Sequence, residues 1–350
     1  MLPLTAPEAF FGIVQLHPDT DPGAVAQTLA EKRPDTLQFN EQLPDELLDA
    51  AAEALQAFPD ICLRVYGEGP DASLEWLGRF AHVRCLALDL WPATSFDVLS
   101  SFRNLERLGL GGTASARPSL AFLRDLPRLW WLGVGGNWHH FEAIADVKTL
   151  RHLGTHVGKG VDLAALRGHP ALEVLEVNFG TNRDLAALAE IPRLRALELY
   201  QIQRLDENDL APLADCASLV VLSLGALRNV RHLGCLRGGP SKTLRYLMLE
   251  KLQGLQTLAD VAACEALEQV HMIESKPADG RLDLLAQAKS LQVLGTGDHY
   301  SKEQREAAEA AFRGRTLWTR GRVLRGDAED DSVLVAWRRP VGAILEVVDA

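Results

Sequence analysis

The 350-residue chain is poor in cysteine, and no two of its five cysteines stand in C-x-x-C spacing. Cys62, Cys85, Cys216, Cys235 and Cys264 are odd in number, which argues against a fold held by a disulfide framework. The sequence therefore predicts reduced thiols in a cytoplasmic protein. No stretch of about eighteen apolar residues is present, so no segment reads as a membrane-crossing helix. Met1 to Glu8 has neither a basic start nor an apolar run, and the sequence predicts no secretory leader. Basic charge is also scarce: Lys and Arg number 36 against 47 Asp and Glu, for a net charge of -11 and a pI near 5.4. That balance argues against a general phosphate-binding surface. It would attract a basic partner over an acidic one, although plain solubility is the better account of it. Lysine is rarer than arginine, 8 against 28, and with abundant alanine this points to a GC-rich bacterial source.

What is present is a repeated phrase. Leu194-Arg195-Ala196-Leu197-Glu198-Leu199 reads L-x-x-L-x-L, and copies begin at Leu105, Leu172, Leu219 and Leu244. Looser copies begin at Val83, Leu129, Leu150, Leu267 and Leu291, giving a period of about 23 residues, which signals a solenoid. Short helical phrases precede the strands, as in Asp184 to Pro192, Asp162 to His169, Leu210 to Cys216 and Asp260 to Cys264. One strand and one short helix cannot bury their leucines alone, whereas stacked neighbours close a continuous core.

The phrase resembles the leucine-rich repeat of the short bacterial type. The resemblance implies an α/β solenoid: a curved horseshoe with a parallel β-sheet on its concave face and short helices on its convex face. The chain departs from that family at the asparagine expected eight residues after the first leucine, which appears only as Asn137. Elsewhere that place holds residues such as Gly180, Ile202, Leu227, Leu252 and Ser275, so other bonds must satisfy the turns after the strands.

Three regions are expected. Residues 1–82 read as degenerate strand–helix units that cap the solenoid, with strands at Ile13 to Leu16, Thr36 to Phe39 and Ile61 to Val65. Amphipathic helices are expected over Pro22 to Lys32 and Pro44 to Phe58, with proline at the first and acidic residues in the first turn of the second. Residues 83–300 are the repeats. After Gly297 the rhythm stops, and 301–350 read as a C-terminal cap: a helix opened by a capping box at Ser301 to Gln304, then strands at Thr316 to Leu324 and Ser332 to Trp337.

In L-x-x-L-x-L the fourth and sixth residues face the core, so the third, fifth and seventh face the concave surface. On that surface the alternation places five glycines side by side: Gly109, Gly111, Gly133, Gly135 and Gly154. Around this floor it places Arg107, Trp131, His152, His156, Glu176, Asn178, Glu198, Tyr200, Tyr246 and Glu250. Aromatics with arginine are common interface anchors. The bland account is that the glycines relieve crowding beside Trp130 and Trp131.

Catalytic and ligand signals are thin. Gly109-Leu110-Gly111-Gly112-Thr113 lacks the Lys-Ser/Thr of a phosphate loop. His139, His140, Glu142, His152 and His156 carry no metal-motif spacing, so neither metal nor other cofactor is expected. Glu176 and Glu198 lie one repeat apart and fit acid–base work or a cationic side chain, but no nucleophile accompanies them. Cys62 and Cys85 fall at equivalent places on adjacent strands, which allows a redox pair. Arg313, Arg315, Arg320, Arg322 and Arg325 with Trp318 form the one basic patch, beside Asp327 to Asp331.

The reading is a non-catalytic scaffold that binds a protein or peptide on the concave face; a narrower version has a basic partner such as a toxin or effector. No membrane role is expected, and nucleic acid is disfavoured. The alternatives are a small-ligand sensor or enzyme in the central pocket, a nucleic-acid-linked protein acting through the C-terminal arginines, and a structural module of an assembly.

Overall fold

A computed structural model describes residues 12–68, 73–112, 117–156, 162–296, 300–313, 316–319, 322–323 and 342. The chain divides into two units, residues 1–165 and 166–350.

In the first unit seven strands follow one another in chain order: β1 (Ile13–Gln15), β2 (Thr36–Phe39), β3 (Cys62–Gly67), β4 (Cys85–Leu90), β5 (Arg107–Leu110), β6 (Trp131–Gly135) and β7 (His152–His156). Each pairs in parallel with the next. The three predicted lead-in strands are thus strands of this sheet. Two helices back them, α1 (Val25–Lys32) and α2 (Asp45–Ala57). Asp45 and Glu46 stand in the first turn of α2, where carboxylates favour the positive end of the helix.

In the second unit the order is β8 (Val174–Asn178), β9 (Ala196–Tyr200), β10 (Val221–Gly225), β11 (Tyr246–Glu250), β12 (Gln269–Ile273), β13 (Val293–Thr296) and β14 (Thr316–Thr319), all parallel. A final two-residue strand, β15 (Arg322–Val323), runs antiparallel to β14. The repeat spacing therefore does not stop at Gly297. Val293 pairs with Thr316, 23 residues on, because a helix and a further strand complete another unit. The predicted strand over Thr316 to Leu324 is broken into β14 and β15, and the one over Ser332 to Trp337 lies outside the described residues.

Between the strands of the later repeats the connection is mostly a 3₁₀ turn, such as Ala186–Glu190 and Ala211–Asp215. Only four to six residues are helical there, and Pro192 and Pro212 stand at or just after them. That span suits the tighter helix, which is used in short pieces. Short α-turns occur at α3 (Pro240–Thr243) and α4 (Ala259–Ala262). Last comes α5 (Lys302–Ala311), whose predicted capping box is formed by Ser301 and Gln304.

The strands alternate as the phrase requires. Leu197 and Leu199 are fully buried, as are their partners Leu222, Leu224, Leu247 and Leu249. Replacing one such leucine by alanine costs about 2–5 kcal/mol.

The missing asparagines are replaced by backbone. The residue just after each of five strands is left-handed: Phe179, Gln201, Ala226, Lys251 and Glu274, with φ between 48° and 69°. That turn aims the N–H of the residue along the solenoid. Phe179 donates to the Tyr200 carbonyl, Gln201 to Gly225, Ala226 to Glu250 and Lys251 to Ile273, each at 2.8 Å. The next position, where the family keeps asparagine, is then free to be an apolar plug, and Ile202, Leu227 and Leu252 are buried there. Ser275 differs: its hydroxyl accepts from the Leu252 N–H at 3.0 Å and lies within bonding distance of the Leu249 carbonyl.

Candidate functional site

Register turns the alternation into rows on the open face of each sheet, opposite the leucine core.

In the first unit one row reads Thr36, Cys62, Cys85, Arg107, Trp131, His152. Cys62 and Cys85 are joined in a disulfide, with their Cα atoms 4.6 Å apart. The expectation of five reduced thiols is corrected at these two. Cys216, Cys235 and Cys264 remain buried thiols, and burial pushes the first up to about 11 and the other two to about 12. Arg107 and Trp131 are direct neighbours, and the Trp131 ring lies 5.6 Å from that of His152. His156 stands beside Gly135 in the adjoining row. All four are half-buried.

The glycine floor is in place but is not open. Gly109, Gly111, Gly133, Gly135 and Gly154 are all buried, and the Asp89 carboxylate occupies the space that a side chain on Gly111 would need. Asp89 belongs to a polar network that the sequence reading did not single out. Arg64 pairs with Asp89 at 3.3 Å, donates to Gln38 at 3.3 Å, and lies 4.7 Å above the Tyr66 ring. Gln38 donates to Gln15 at 2.9 Å, and the Tyr66 hydroxyl donates to the same oxygen at 3.2 Å. The signal was available: the in–out alternation holds in β1 to β3 as it does in the later strands.

In the second unit Glu176 pairs in register with Glu198, and Asn178 with Tyr200. The row continues from Glu198 through Ser223 and Met248 to His271. Glu198 is raised to about 7, first by burial, then by the Glu176 carboxylate, against hydrogen bonds from Asn178 and Ser223. Tyr246 and Asn178 differ from the expectation of partner-facing residues, being only 1% and 6% exposed. Tyr246 stacks on His271 with ring centroids 5.0 Å apart, and burial holds that imidazole neutral, its pKa lowered to about 4. Tyr200 lies edge-on to Phe179 at 6.1 Å, and Glu250 pairs with Lys251 at 3.5 Å.

Other candidates contribute little. His140 bonds Glu142 at 2.9 Å, and among the described residues no three metal-capable side chains converge. A polar concavity of about 780 Å³ in the second unit is lined by Asp206, Glu207, Arg228, Arg231 and His232, with both signs of charge. Of the C-terminal basic patch, Arg313 is exposed; the side chains of Arg315, Trp318, Arg320, Arg322 and Arg325 lie outside the described residues. No helix among the described residues is long and apolar enough to cross a membrane.

No protein-family model and no curated protein matches the chain. Solved structures do. An internalin (inlF) from Listeria monocytogenes is 15% identical, with a TM-score of 0.53 over 79% of this chain and 76% of that one. An internalin C2 from the same organism is 22% identical, with a TM-score of 0.41 over 51% of this chain and 76% of the other. With its register-aligned L-x-x-L-x-L strands and the structural likeness to the first of these, the chain has the leucine-rich-repeat solenoid fold.

Proposed function

We propose that the protein is a non-catalytic scaffold that binds a protein or peptide on the open faces of its sheets. One observation carries this reading: the face opposite the leucine core presents half-buried aromatic and charged side chains, Arg107, Trp131, Glu198, Tyr200 and Glu250 among them, that the core does not use. Side chains of this kind, partly desolvated and held by a rigid sheet, are suited to anchoring a partner. A catalytic role is disfavoured because the perturbed Glu198 has Asn178 and Ser223 as hydrogen-bond partners and no activated nucleophile beside it. The acidic balance of the chain supports a basic partner, and the cytoplasmic setting is part of this proposal.

The test is affinity capture of the tagged protein from its native host, with the Trp131→Ala/Glu198→Arg/Tyr200→Ala variant in parallel. A stoichiometric partner held by the wild type and lost by the folded variant is expected. A partner retained by both would move the interface to the turns or the ends.

A further inference from the structure

The concavity of about 780 Å³ in the second unit lies in the connections that follow β9, β10 and β11, not on the strands themselves. Acids and bases both line it, and such a lining ordinarily pairs off within itself. This one does not. Asp206 is already engaged: one oxygen is 3.3 Å from Arg183, and the other accepts from the Asn208 and Asp209 N–H groups at 2.9 and 3.3 Å. Glu207 turns one oxygen onto the Arg231 N–H at 3.2 Å. The guanidinium groups of Arg228 and Arg231 have no ion pair and no hydrogen bond among the described residues. By contrast Arg183, Arg237 and Arg281 are each held by a carboxylate at 2.6 or 2.7 Å.

We propose that this concavity binds a small polar ligand, whose phosphate or carboxylate is held by Arg228 and Arg231 and whose neighbouring hydroxyl or ammonium donates to the second oxygen of Glu207. The site lies off the sheet faces and stands independently of the scaffold reading.

The backbone that carries the arginines is fixed. Asp206 and Asn229 run side by side as a parallel bridge. The Gln256 N–H donates to the Arg231 carbonyl at 2.9 Å. Gly254 closes the third turn onto the second, since an added Cβ there would come within 2.4 Å of the Arg228 carbonyl oxygen. Consecutive repeats therefore hold one another in place, and a ligand has mainly side chains to order.

The lining also limits the ligand. Its other side chains are His232 and the amides of Asn229 and Gln256, with no aromatic or aliphatic group among them. That excludes an acyl chain or a stacked base and suits a ligand that is polar throughout. A guanidinium presents its N–H donors in a planar fork that matches two oxygens of a phosphate or a carboxylate. Arg228, Arg231 and His232 are exposed, so salt screens the attraction and binding is measured at low ionic strength.

The full chain labelled with 15N is titrated with inorganic phosphate, glucose 6-phosphate, glutamate and, as the uncharged comparison, glucose. The amides of Gln256, at the concavity, and Leu222, in the core, are followed. Glucose 6-phosphate or glutamate is expected to shift Gln256 saturably and leave Leu222 in place, and glucose to shift neither. Whichever of the two binds more tightly tells phosphate from carboxylate. Arg228→Gln/Arg231→Gln, with an unmoved Leu222 signal as the check on its fold, is expected to weaken that ligand at least about tenfold. Glu207→Gln is expected to weaken it as well, without weakening inorganic phosphate. Shifts of the same affinity in the arginine variant, or silence of Gln256 with all three oxyanions, would overturn the site. An affinity for inorganic phosphate equal to that for both larger ligands would overturn the contact at Glu207.

Discussion

The Tyr200 ring lies across the backbone of Gly225 on the neighbouring strand, where an added Cβ would come within 2.3 Å of the ring. The glycine is what lets the tyrosine lie flat on the face, so one residue with no side chain sets the position of another. Gly225→Ala is expected to lift the ring and to cost about 1–3 kcal/mol, the range for overpacking a well-filled site. Thermal unfolding reads the cost, and partner binding should fall in parallel. An unchanged melting temperature would mean that the ring has room to move aside.

The left-handed residues after the strands give the opposite sign. A residue with a Cβ in that conformation costs roughly 1–2 kcal/mol, of which glycine's greater chain entropy returns about half. Gln201→Gly and Ala226→Gly are each expected to stabilise by about 0.5–1 kcal/mol, because both keep the N–H bond to the next strand. Chemical denaturation of the single and double variants checks this. Destabilisation would show that the side chains contribute more than the turn costs.

Ser275 stands where the family's asparagine would, and its hydroxyl is the acceptor for the Leu252 N–H. Ser275→Ala leaves that buried donor without a partner and is expected to cost about 1–3 kcal/mol. Leu252 amide exchange should quicken specifically. Uniform exchange across the unit would argue for a global effect instead.

Two groups of the second unit, half-buried Glu198 and buried His271, contribute to the pH dependence with opposite signs. Glu198 has a folded pKa of about 7, above its ordinary 4.5. Between those values the folded state binds the extra proton, so its contribution is fully present below pH 4.5 and falls by up to about 3 kcal/mol as pH rises to 7. His271 has a folded pKa of about 4, below its ordinary 6.5. Its neutral burial contributes fully above pH 6.5, and that contribution is lost as pH falls towards 4. The two offset one another near pH 5 to 6. Glu198→Gln is expected to raise the melting temperature at pH 8, change it little at pH 4.5, and leave the acid-side fall intact. A variant no more stable than wild type at pH 8 would contradict the burial argument.

The disulfide gives a chemical count. Alkylation of the denatured, unreduced chain is expected to label three cysteines, Cys216, Cys235 and Cys264, and all five after reduction. Five labels without reduction would leave Cys62 and Cys85 as neighbouring thiols. Repeating the count on protein quenched inside cells tests the cytoplasmic setting, since a reducing compartment opposes the bond.

The fold was legible because each repeat states the same local rule. Leu194, Leu197 and Leu199 recur at fixed spacing, and an in-register parallel sheet is the arrangement that buries every copy. The same rule places Glu176 beside Glu198 and Cys62 beside Cys85 from the sequence alone. What it could not give was exposure. Tyr246 and Asn178 alternate outward like Tyr200, yet they are buried by neighbours along the row, which no single repeat encodes. The left-handed turns were hidden for a related reason: Phe179, Gln201, Ala226, Lys251 and Glu274 share a backbone conformation and no side-chain property. Arg64 and Tyr66 are harder to see because β3 lacks the leucine phrase, although its alternation is the same.

The central claim is that the partner sits on the open sheet faces. It is tested most directly by titration calorimetry of the captured partner against two triple variants. One is the face variant Trp131→Ala/Glu198→Arg/Tyr200→Ala; the other is Arg103→Ala/Arg124→Ala/Arg167→Ala, which removes exposed arginines from the connections between strands. The account predicts an affinity loss of about a hundredfold or more for the face variant and little change for the other. The reverse order, with both variants folded, would contradict it and place the interface on the connections.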